Sequence, residues 1–378
     1  MRIAFIYDAA YPWVMGGAEM RVYELAKRLS AHGHDVHWYT IGWWWDEQNK
    51  NDIIQDGINF HGVCKPRSLY SNERRSIVEA LYFSIKLLGP LFRFKFDVVD
   101  CQSFPFFSAF IAWFHSFLGR SKLVITVLEV WGSYWYEYLG FLGVGGRVVE
   151  YLALHLSNDI ISISTKTKRD FLKHRKINKV EVIAPGINLS NVQKIREAER
   201  KQDIIFAGRL IKEKRVQLLL ESLIKTKEVI PNIKCLIIGD GPEKDSLINL
   251  TKKLGLEKNV EFKGFMKNHQ DLMSKLKSSR VLVLPSKREG FGMVVVEANA
   301  IGIPAVVVED PMNAACDLVE EGVNGFIANP TTDNLSKKIK LALDKGQSMR
   351  EECLSHAQPY DWDHLTLILE DFYNEVIK

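Results

Sequence analysis

The sequence predicts an α/β protein made of two consecutive doubly wound domains, and three observations support this prediction. Short apolar runs of strand length alternate with longer segments in which apolar residues recur at helical spacing. The connections between them are short, which is typical of right-handed crossovers in parallel sheets. The polar segment 191–202 separates two such series and suits a linker or a surface helix. We therefore expect one domain over residues 1–186 and a second over residues 187–361.

The first series opens with the apolar run 3–7, which predicts a buried strand. Apolar residues then recur at helical spacing over 18–29, and Gly33 ends this helix. The chain returns as a strand over 35–40, which completes a strand–helix–strand unit. A further helix is expected at 104–118, and further strands are expected at 97–100, 123–127, 159–163 and 180–183.

The second series repeats this alternation after the linker, with helices expected at 216–225 and 271–277. Its strands are expected at 204–206, 235–238, 260–262, 281–284 and 305–308. In doubly wound sheets, ligands bind outside the carboxyl ends of the strands. A cleft between two such domains is therefore the first place to expect a site.

Composition excludes several classes of protein. The chain has 378 residues, 47% of them hydrophobic and 25% charged, and its 50 Lys+Arg against 46 Asp+Glu leave a net charge of +4. This balance gives no strong attraction for nucleic acid. The excess of positive charge falls in residues 1–190, which also carry most of the tryptophans. The two halves are therefore expected to have different roles.

The five cysteines are scattered, and no two of them have the close spacing of a zinc or redox pair. Reduced thiols in a cytoplasmic protein are the favoured interpretation. The residues after Met1 lead directly into a buried strand, so no secretory signal is expected.

The strongest chemical signal lies in residues 285–304, where a buried strand ends in a Gly-rich turn and a helix begins near Gly292. Helix N-termini carry unsatisfied N–H groups, and glycines allow a phosphate to approach them closely. Glu289 in the turn and Glu297 in the helix could accept hydrogen bonds from sugar hydroxyls. The alternative is an ordinary strand–turn–helix with surface carboxylates.

Residues 206–215 also follow a strand and precede a helix. Arg209 offers a planar fork of donors and Lys214 a point charge, and both suit a diphosphate. The alternative here is a solvated basic turn. A third turn, at residues 238–243, is a weak signal by itself.

In this order, these segments resemble the retaining nucleotide-sugar glycosyltransferases of the GT-B fold in glycosyltransferase family 4, over essentially the whole chain. The family's E-x7-E pattern is met by Glu289 and Glu297. It occurs together with Gly208-Arg209-Leu210, Gly239-Asp240-Gly241-Pro242, Phe262-Lys263-Gly264-Phe265 and the opening Gly16-Gly17-Ala18-Glu19. The resemblance implies two Rossmann-like domains facing each other across a cleft, with residues 362–378 returning as a helix to the first.

The resemblance also implies roles for single residues. Glu297 would bind the ribose, and Glu289 the donor sugar with help from the backbone of Gly290, Phe291 and Gly292. Glu289, Arg209 and Lys214 would be the catalytic residues, and the two cations among them would neutralise the departing diphosphate. The remaining donor-binding positions it implies are Gly16, Gly17, Gly208, Gly241, Phe265, Met266 and Met293, with Phe265 and Met266 flanking the base.

No metal is expected, because fixed cations can stabilise the charge that develops on the diphosphate in the transition state. The nucleotide-diphosphate sugar is then a co-substrate, and no cofactor is required. The one Asp-x-Asp sequence, at residues 361–363, stands before a predicted helix and is interpreted as helix capping.

One position departs from the family pattern. Many members carry a His facing the donor sugar after the fourth strand, where this chain has Leu128. Leucine neither accepts a proton nor donates a hydrogen bond. Glu129 could take a polar role near the acceptor or be a solvated carboxylate at a strand end, and Trp131 is the other acceptor-side candidate.

Basic and aromatic residues together suggest a membrane surface for the first domain. The relevant segments are 81–95, 104–118 and the run Trp43-Trp44-Trp45. The two long segments fall short of the roughly 20 apolar residues that a spanning helix needs. The alternative, favoured for 104–118, is a helix in the protein core.

The sequence thus predicts a retaining hexosyltransferase that uses a nucleotide-diphosphate sugar and a glycan or lipid-linked acceptor. It would be cytoplasmic, with possible peripheral attachment to the membrane face. The alternatives are a nucleotide-sugar 2-epimerase of the same fold and a catalytically silent partner subunit, the latter suggested by Leu128.

Overall fold

Two parallel sheets organise the chain, one in each of the two units into which it divides, Met1–Pro185 with Trp362–Lys378 and Gly186–Asp361. The structure is a computed structural model and describes residues 1–48, 50–67, 70–71, 74–192, 194–196, 198, 201–266 and 268–378. Part of the predicted linker, including Gln193 and Glu197, lies outside the described residues.

The first unit contains a large sheet with the strand order β10-β9-β8-β7-β1-β2-β4-β3. Its strands are β1 (Arg2–Ile6), β2 (Asp35–Thr40), β3 (Asp52–Gln55), β4 (Ile58–Gly62), β7 (Val98–Gln102), β8 (Lys122–Val127), β9 (Asp159–Ser162) and β10 (Val180–Val182), while β5 (Tyr70–Ser71) and β6 (Arg74–Arg75) pair separately. The described neighbours in this sheet are parallel except β3 and β4, which form an antiparallel hairpin at the edge. The central strand β1 is buried on both faces, as its continuous apolar sequence requires.

The helices of the first unit are α1 (Gly17–Ala31), α2 (Trp45–Gln48), α3 (Ile77–Leu91), α4 (Phe107–Phe117), α5 (Tyr134–Leu139), α6 (Gly143–Ala153), α7 (Thr165–His174) and, from the chain end, α15 (Trp362–Ile377). Strand order runs in opposite directions on the two sides of β1. Because crossovers are right-handed, α1 covers one face of the sheet and α3, α4 and α6 cover the other.

The helix α15 packs against α1 and β7. The hydroxyl of Tyr373 donates to Asp100 Oδ2 at 2.7 Å inside the core, and Arg28 Nε donates to Asp363 Oδ1 at 2.6 Å near the surface. Burial raises the pKa of Asp100, and the hydrogen bond from Tyr373 opposes the rise by stabilising the carboxylate. The chain end is therefore an integral part of the first unit.

The second unit has a six-stranded sheet in the order β13-β12-β11-β14-β16-β18 among its described residues. The strands are β11 (Gln202–Ala207), β12 (Cys235–Ile238), β13 (Val260–Lys263), β14 (Ser279–Leu284), β16 (Ala305–Val308) and β18 (Gly325–Ala328), with β15 (Arg288–Glu289) and β17 (Met312–Asn313) as a separate parallel pair. The helices are α8 (Leu189–Val192), α9 (Val216–Val229), α10 (Lys244–Lys253), α11 (His269–Lys277), α12 (Met293–Ala300), α13 (Thr332–Lys345) and α14 (Arg350–Ala357). The predicted class of two doubly wound α/β domains is confirmed.

The tryptophan run at 43–45 does not form the exposed surface patch that the membrane hypothesis invoked. Trp44 is fully buried, and its indole Nε1 donates to the carbonyl of Lys50 at 2.9 Å. Trp43 and Trp45 are partly buried against the core, and Trp43 Nε1 donates to the carbonyl of Asp8 at 3.0 Å. Three consecutive indoles can be buried here because the turn before α2 sends their side chains to different neighbours.

The segment 104–118 forms a core helix on one side only, where it packs against β7 and β8. Its helix α4 buries Ala109, Ala112 and His115 but exposes Trp113 and Phe117. No helix within the described residues combines the length and the apolarity that a membrane crossing requires.

Candidate active site

The carboxyl ends of neighbouring strands collect the predicted donor-binding residues at one edge of the second unit's sheet. Gly208 and Arg209 follow β11, Gly241 follows β12, Phe265 follows β13, and Glu289 follows β14. The strand order reverses between β11 and β14. Ligands of doubly wound sheets bind at such a reversal, where the loops of adjacent strands diverge.

The loops after β11 and β12 approach so closely that two positions of the second loop require glycine. The amide of Gly208 donates to Ile238 O at 3.0 Å, and that of Leu210 donates to Asp240 O at 2.8 Å. A Cβ on Gly239 would lie 1.9 Å from Gly208 O, and one on Gly241 would lie 2.4 Å from Leu210 O. The glycines therefore allow this close backbone packing, which fixes the loop that carries Arg209.

An ion pair joins the loops that follow β11 and β14. Lys214, on the short 3₁₀ turn Lys212–Lys214, places its Nζ 2.5 Å from Glu289 Oε1. Ser286 Oγ donates to the same carboxylate oxygen at 2.7 Å. Both side chains of the ion pair are largely buried, so the charge-assisted bond is shielded from solvent and stronger than a surface pair. The structure thus brings together two of the three residues predicted to be catalytic.

The third, Arg209, is exposed at the same edge and has no acidic partner among the described residues. The neighbouring Arg215 differs, because its guanidinium pairs with Asp310 at 3.0 Å and its backbone is left-handed with φ of 47°. Arg209 is consequently open to an incoming anion, whereas Arg215 holds the start of α9.

The Gly-rich turn at 285–292 is held by contacts that the sequence analysis did not identify. Asn313 Nδ2 donates to Ser286 O at 3.1 Å and to Val308 O at 2.8 Å, which ties the turn to the end of β16. Gly292 has φ of 103°, a left-handed conformation that side chains disfavour. Phe291 is buried edge-on against Tyr360, so its side chain anchors the turn while Gly290 and Met293 are half-buried beside it.

Glu297 lies inside α12 and is buried, with its Oε1 2.8 Å from Nε2 of His269 at the start of α11. His269 is half-exposed and comes from a part of the sequence that no motif marked. Phe265 and Met266, predicted to flank the base, lie in the loop between β13 and α11, and the Phe265 side chain is 57% exposed. An exposed aromatic side chain in this loop offers a face on which a flat ring could stack.

In the first unit, Gly16 and Gly17 lie where β1 gives way to α1. Gly16 precedes the helix, and a Cβ there would lie 2.3 Å from Glu19 Oε2. Glu19 is buried and accepts a hydrogen bond from the Tyr7 hydroxyl at 3.0 Å. Burial raises the pKa of Glu19. The glycine therefore leaves room for this buried carboxyl next to the helix start.

The acceptor-side candidates contact each other. The indole Nε1 of Trp131 donates to Glu129 Oε2 at 2.8 Å, so Glu129 is not the free strand-end carboxylate of the alternative interpretation. Glu150, buried on α6, accepts from the Trp131 amide at 2.7 Å and the Gly132 amide at 2.9 Å. Around Trp131, aromatic rings pack within about 5 Å, namely Phe104, Tyr134, Trp135 and Tyr138. Leu128 contributes its backbone, whose amide donates to Ser103 Oγ at 3.3 Å.

A buried acid pair lies near the end of β1. Asp8 is fully buried and bonded to the Arg75 guanidinium, and Glu79 is buried within hydrogen-bonding reach of Asp8. Burial, and then the Asp8 carboxylate, raises the pKa of Glu79 to about 8. Glu79 is therefore protonated in the folded protein at neutral pH, unlike a carboxylate in water.

This pair predicts a loss of stability as pH rises. Between pH ~4.5 and ~8, Glu79 is protonated in the folded protein but ionised in the unfolded chain. The free energy of unfolding therefore decreases as the pH rises through this range. Glu79→Gln removes this titration and keeps an amide that can donate to Asp8. We expect its melting temperature to exceed that of the parent by about 2–4 °C at pH 8 and less at pH 5. Calorimetry checks this, with Glu137→Gln, an exposed glutamate of the same unit, as the control. An equal shift at both pH values would contradict the assignment.

Within the described residues, no group of three His, Cys, Asp or Glu side chains is placed to hold a metal ion. All five cysteines are free, and burial raises the pKa of Cys101 to about 12.

Two family models match consecutive parts of the chain. "Glycosyltransferase Family 4" matches residues 15–191, and "Glycosyl transferases group 1" matches residues 189–358. An uncharacterized glycosyltransferase of Methanocaldococcus jannaschii is 28% identical over 396 residues, covering 97% of this chain and 96% of that protein. An uncharacterized glycosyltransferase of Haemophilus influenzae is 28% identical over 86% of this chain and 85% of its own length.

Solved structures share the fold. Sucrose-phosphate synthase from Thermosynechococcus elongatus superposes with a TM-score of 0.79 at 18% identity, covering 99% of this chain and 98% of that chain. HepE from Anabaena, in complex with UDP-glucose, gives 0.75 at 19% identity over 99% of this chain and 100% of that chain. Since the two family models together span residues 15–358, the chain belongs to the GT-B glycosyltransferases of family 4 and group 1.

Proposed function

We propose that this glycosyltransferase moves a hexose-type sugar from a nucleotide-diphosphate sugar to a hydroxyl of a glycan or lipid-linked acceptor, with retention at the anomeric carbon and without a metal. The observation that carries the proposal is the pairing of Lys214 with Glu289 between the loops after β11 and β14. It places a cation and a hydroxyl-accepting carboxylate together at the reversal of strand order.

The leaving diphosphate gains negative charge in the transition state. Cations that are fixed in place stabilise that state more than the ground state, which is what accelerates the reaction. Lys214 is held by Glu289, and Arg209 is exposed on the same loop, so both cations lie where a diphosphate at this edge of the sheet would bind. This supports chemistry without a metal.

Glu289 is assigned to the donor sugar. Its carboxylate is fixed by Lys214 and Ser286 and retains acceptor capacity for sugar hydroxyls, since a carboxylate offers about four lone-pair sites. We infer that the acceptor hydroxyl loses its proton to the departing phosphate on the same face of the sugar. Leu128, which stands at the family's His position, takes no part in this proton transfer.

Glu297 is assigned to the ribose of the nucleotide. We expect Glu297→Gln to weaken binding of the nucleoside diphosphate by about tenfold, since one charge-assisted hydrogen-bond acceptor is lost. At saturating donor, kcat should change much less. Calorimetric titration with uridine, guanosine and adenosine diphosphates measures the nucleotide affinity, and initial rates at saturating donor measure kcat. Unchanged nucleotide affinity would overturn this role.

The donor class is supported by a structural neighbour, since HepE is described in complex with UDP-glucose. Acceptor recognition is assigned to the carboxyl edge of the first unit's sheet, where Glu129 and Trp131 lie. We place the reaction in the cytoplasm, at or near the membrane face, and expect no role for nucleic acid, because the net charge of +4 is small.

The decisive experiment incubates the purified full chain with a panel of nucleotide-diphosphate hexoses, with and without acceptors and a chelator. Proton NMR then follows the anomeric signals. The proposal requires acceptor-dependent consumption of one α-linked donor, an α-linked product and insensitivity to the chelator. Conversion of donor without acceptor would instead identify a 2-epimerase. Nucleotide binding with no consumption across the panel would identify a silent partner subunit.

A further inference from the structure

One face of the first unit exposes many large apolar side chains that do not pack against the rest of the unit. The helices α3, α4 and α6 cover the same face of the sheet, and α4 packs against both of the others. Large apolar side chains point outward from all three, or from the turn before α6: Val78, Ile85, Phe117, Phe141, Leu142 and Val148. We call this surface the apolar face.

The helix α3 shows why the exposure is unusual. Its inward side buries one apolar stripe at helical spacing, which includes Phe83 and Leu87. A second apolar stripe, at positions 78, 81, 85 and 88, repeats the same spacing on the exposed side. A helix that is apolar on all sides belongs either in a protein core or in lipid. Contiguous exposed apolar surface of this kind marks an interaction site.

The charges around the apolar face identify its partner. Lys86 and Arg147 are the exposed charges on α3, α4 and α6, whereas the two acidic side chains of these helices, Glu79 and Glu150, are buried. The adjoining α7 carries four Lys or Arg against the single carboxylate Asp170. The end of α7 contacts α6 directly, since Arg175 Nη1 donates to Leu154 O at 2.9 Å. The adjoining α5 adds one exposed carboxylate, Glu137, so six Lys or Arg stand against two carboxylates that are not buried. The outward charge next to the apolar face is therefore positive on balance.

We propose that the apolar face, together with α7, docks this protein onto a bilayer that contains anionic lipids. Apolar side chains enter the interfacial region, and basic side chains meet the headgroups. A second copy of the chain fits this surface less well, because pairing it with itself would bring like charges together. The residues that would contact the bilayer are thus those of the apolar face and α7, and not the tryptophan run at 43–45, which is buried or partly buried. It extends the lipid-linked acceptor of the proposed function.

The test measures flotation of the full chain with phosphatidylcholine vesicles, with and without phosphatidylglycerol, in the absence of donor and acceptor. We expect binding to the anionic vesicles that weakens at high salt. The double variant Ile85→Glu/Phe117→Glu should bind at least about tenfold more weakly. The matched control, Ile54→Glu/Leu367→Glu, adds the same charge at exposed apolar positions away from the apolar face and should bind normally.

Thermal melting verifies that both double variants fold, and nucleotide binding verifies that their second unit is intact. Equal flotation of the two double variants, or no flotation of the parent chain, would overturn the proposal. A third result would also overturn it: light scattering shows a dimer for the parent chain and a monomer for Ile85→Glu/Phe117→Glu, and neither protein floats with vesicles. Because no sugar transfer is involved, the docking proposal and the proposed function can fail separately.

Discussion

Glu289→Ala is expected to lower kcat on the order of 10³-fold, the scale of losing a group that acts in the transition state. The substitution removes the carboxylate proposed to hold the sugar and also frees Lys214 from its partner at 2.5 Å. Nucleoside diphosphate affinity should stay close to that of the parent, because Glu297 and His269 are untouched. Initial rates of transfer and calorimetric titration separate the two effects.

A matched control for this variant is Glu309→Ala. Glu309 is an exposed glutamate that follows β16 at the same edge of the sheet, so its loss removes an equal charge without touching the ion pair. Its turnover should be near normal. If Glu289→Ala turned over as fast as Glu309→Ala, the assignment of the donor sugar to Glu289 would be refuted.

Lys214→Ala is expected to lower kcat by about 10²- to 10³-fold, because a fixed cation at the leaving diphosphate acts mainly in the transition state. The change in KM should be smaller. Lys212→Ala is the control, since Lys212 is an exposed lysine of the same 3₁₀ turn. An equally large loss in Lys212→Ala would show that the loop needs positive charge without needing this particular ammonium group, and a normal rate for Lys214→Ala would refute its role.

The ion pair also predicts coupling between the two positions. Residues that share a salt bridge do not contribute additively, so the double variant Glu289→Ala/Lys214→Ala should lose much less than the product of the single losses. If the loss in the double variant equals the product of the two single losses, the two side chains act independently in turnover despite their contact.

The fold class was predictable because its signals are local. Buried parallel strands such as β1 and β14 are continuous apolar runs, and helices such as α1 show their period directly in the sequence. The edge hairpin of β3 and β4 was not predicted, since half-exposed strands without a strict alternation resemble loops. Membership of the glycosyltransferase family was predictable from several short motifs in the right order, and it is confirmed.

The site was only partly accessible from the sequence. Glu289 and Lys214 could be named from their motifs, but their contact spans 75 residues and depends on two loops meeting at the reversal of strand order. His269 and Asn313 could not be named, because what they do depends on distant partners, Glu297 and Ser286. The roles assigned to the site residues remain predictions. Whether 104–118 faces the core or the surface stayed open in the sequence, because an apolar helix on a sheet and one facing lipid have the same composition.

The return of α15 to the first unit has a consequence for synthesis of the chain. Residues 1–185 leave the ribosome before the second unit, yet the buried Asp100 lacks the Tyr373 hydroxyl until residue 373 has been made. The second unit, Gly186–Asp361, is one continuous stretch and has all its residues earlier. During translation, the unit that begins first is therefore the unit that can be completed only last.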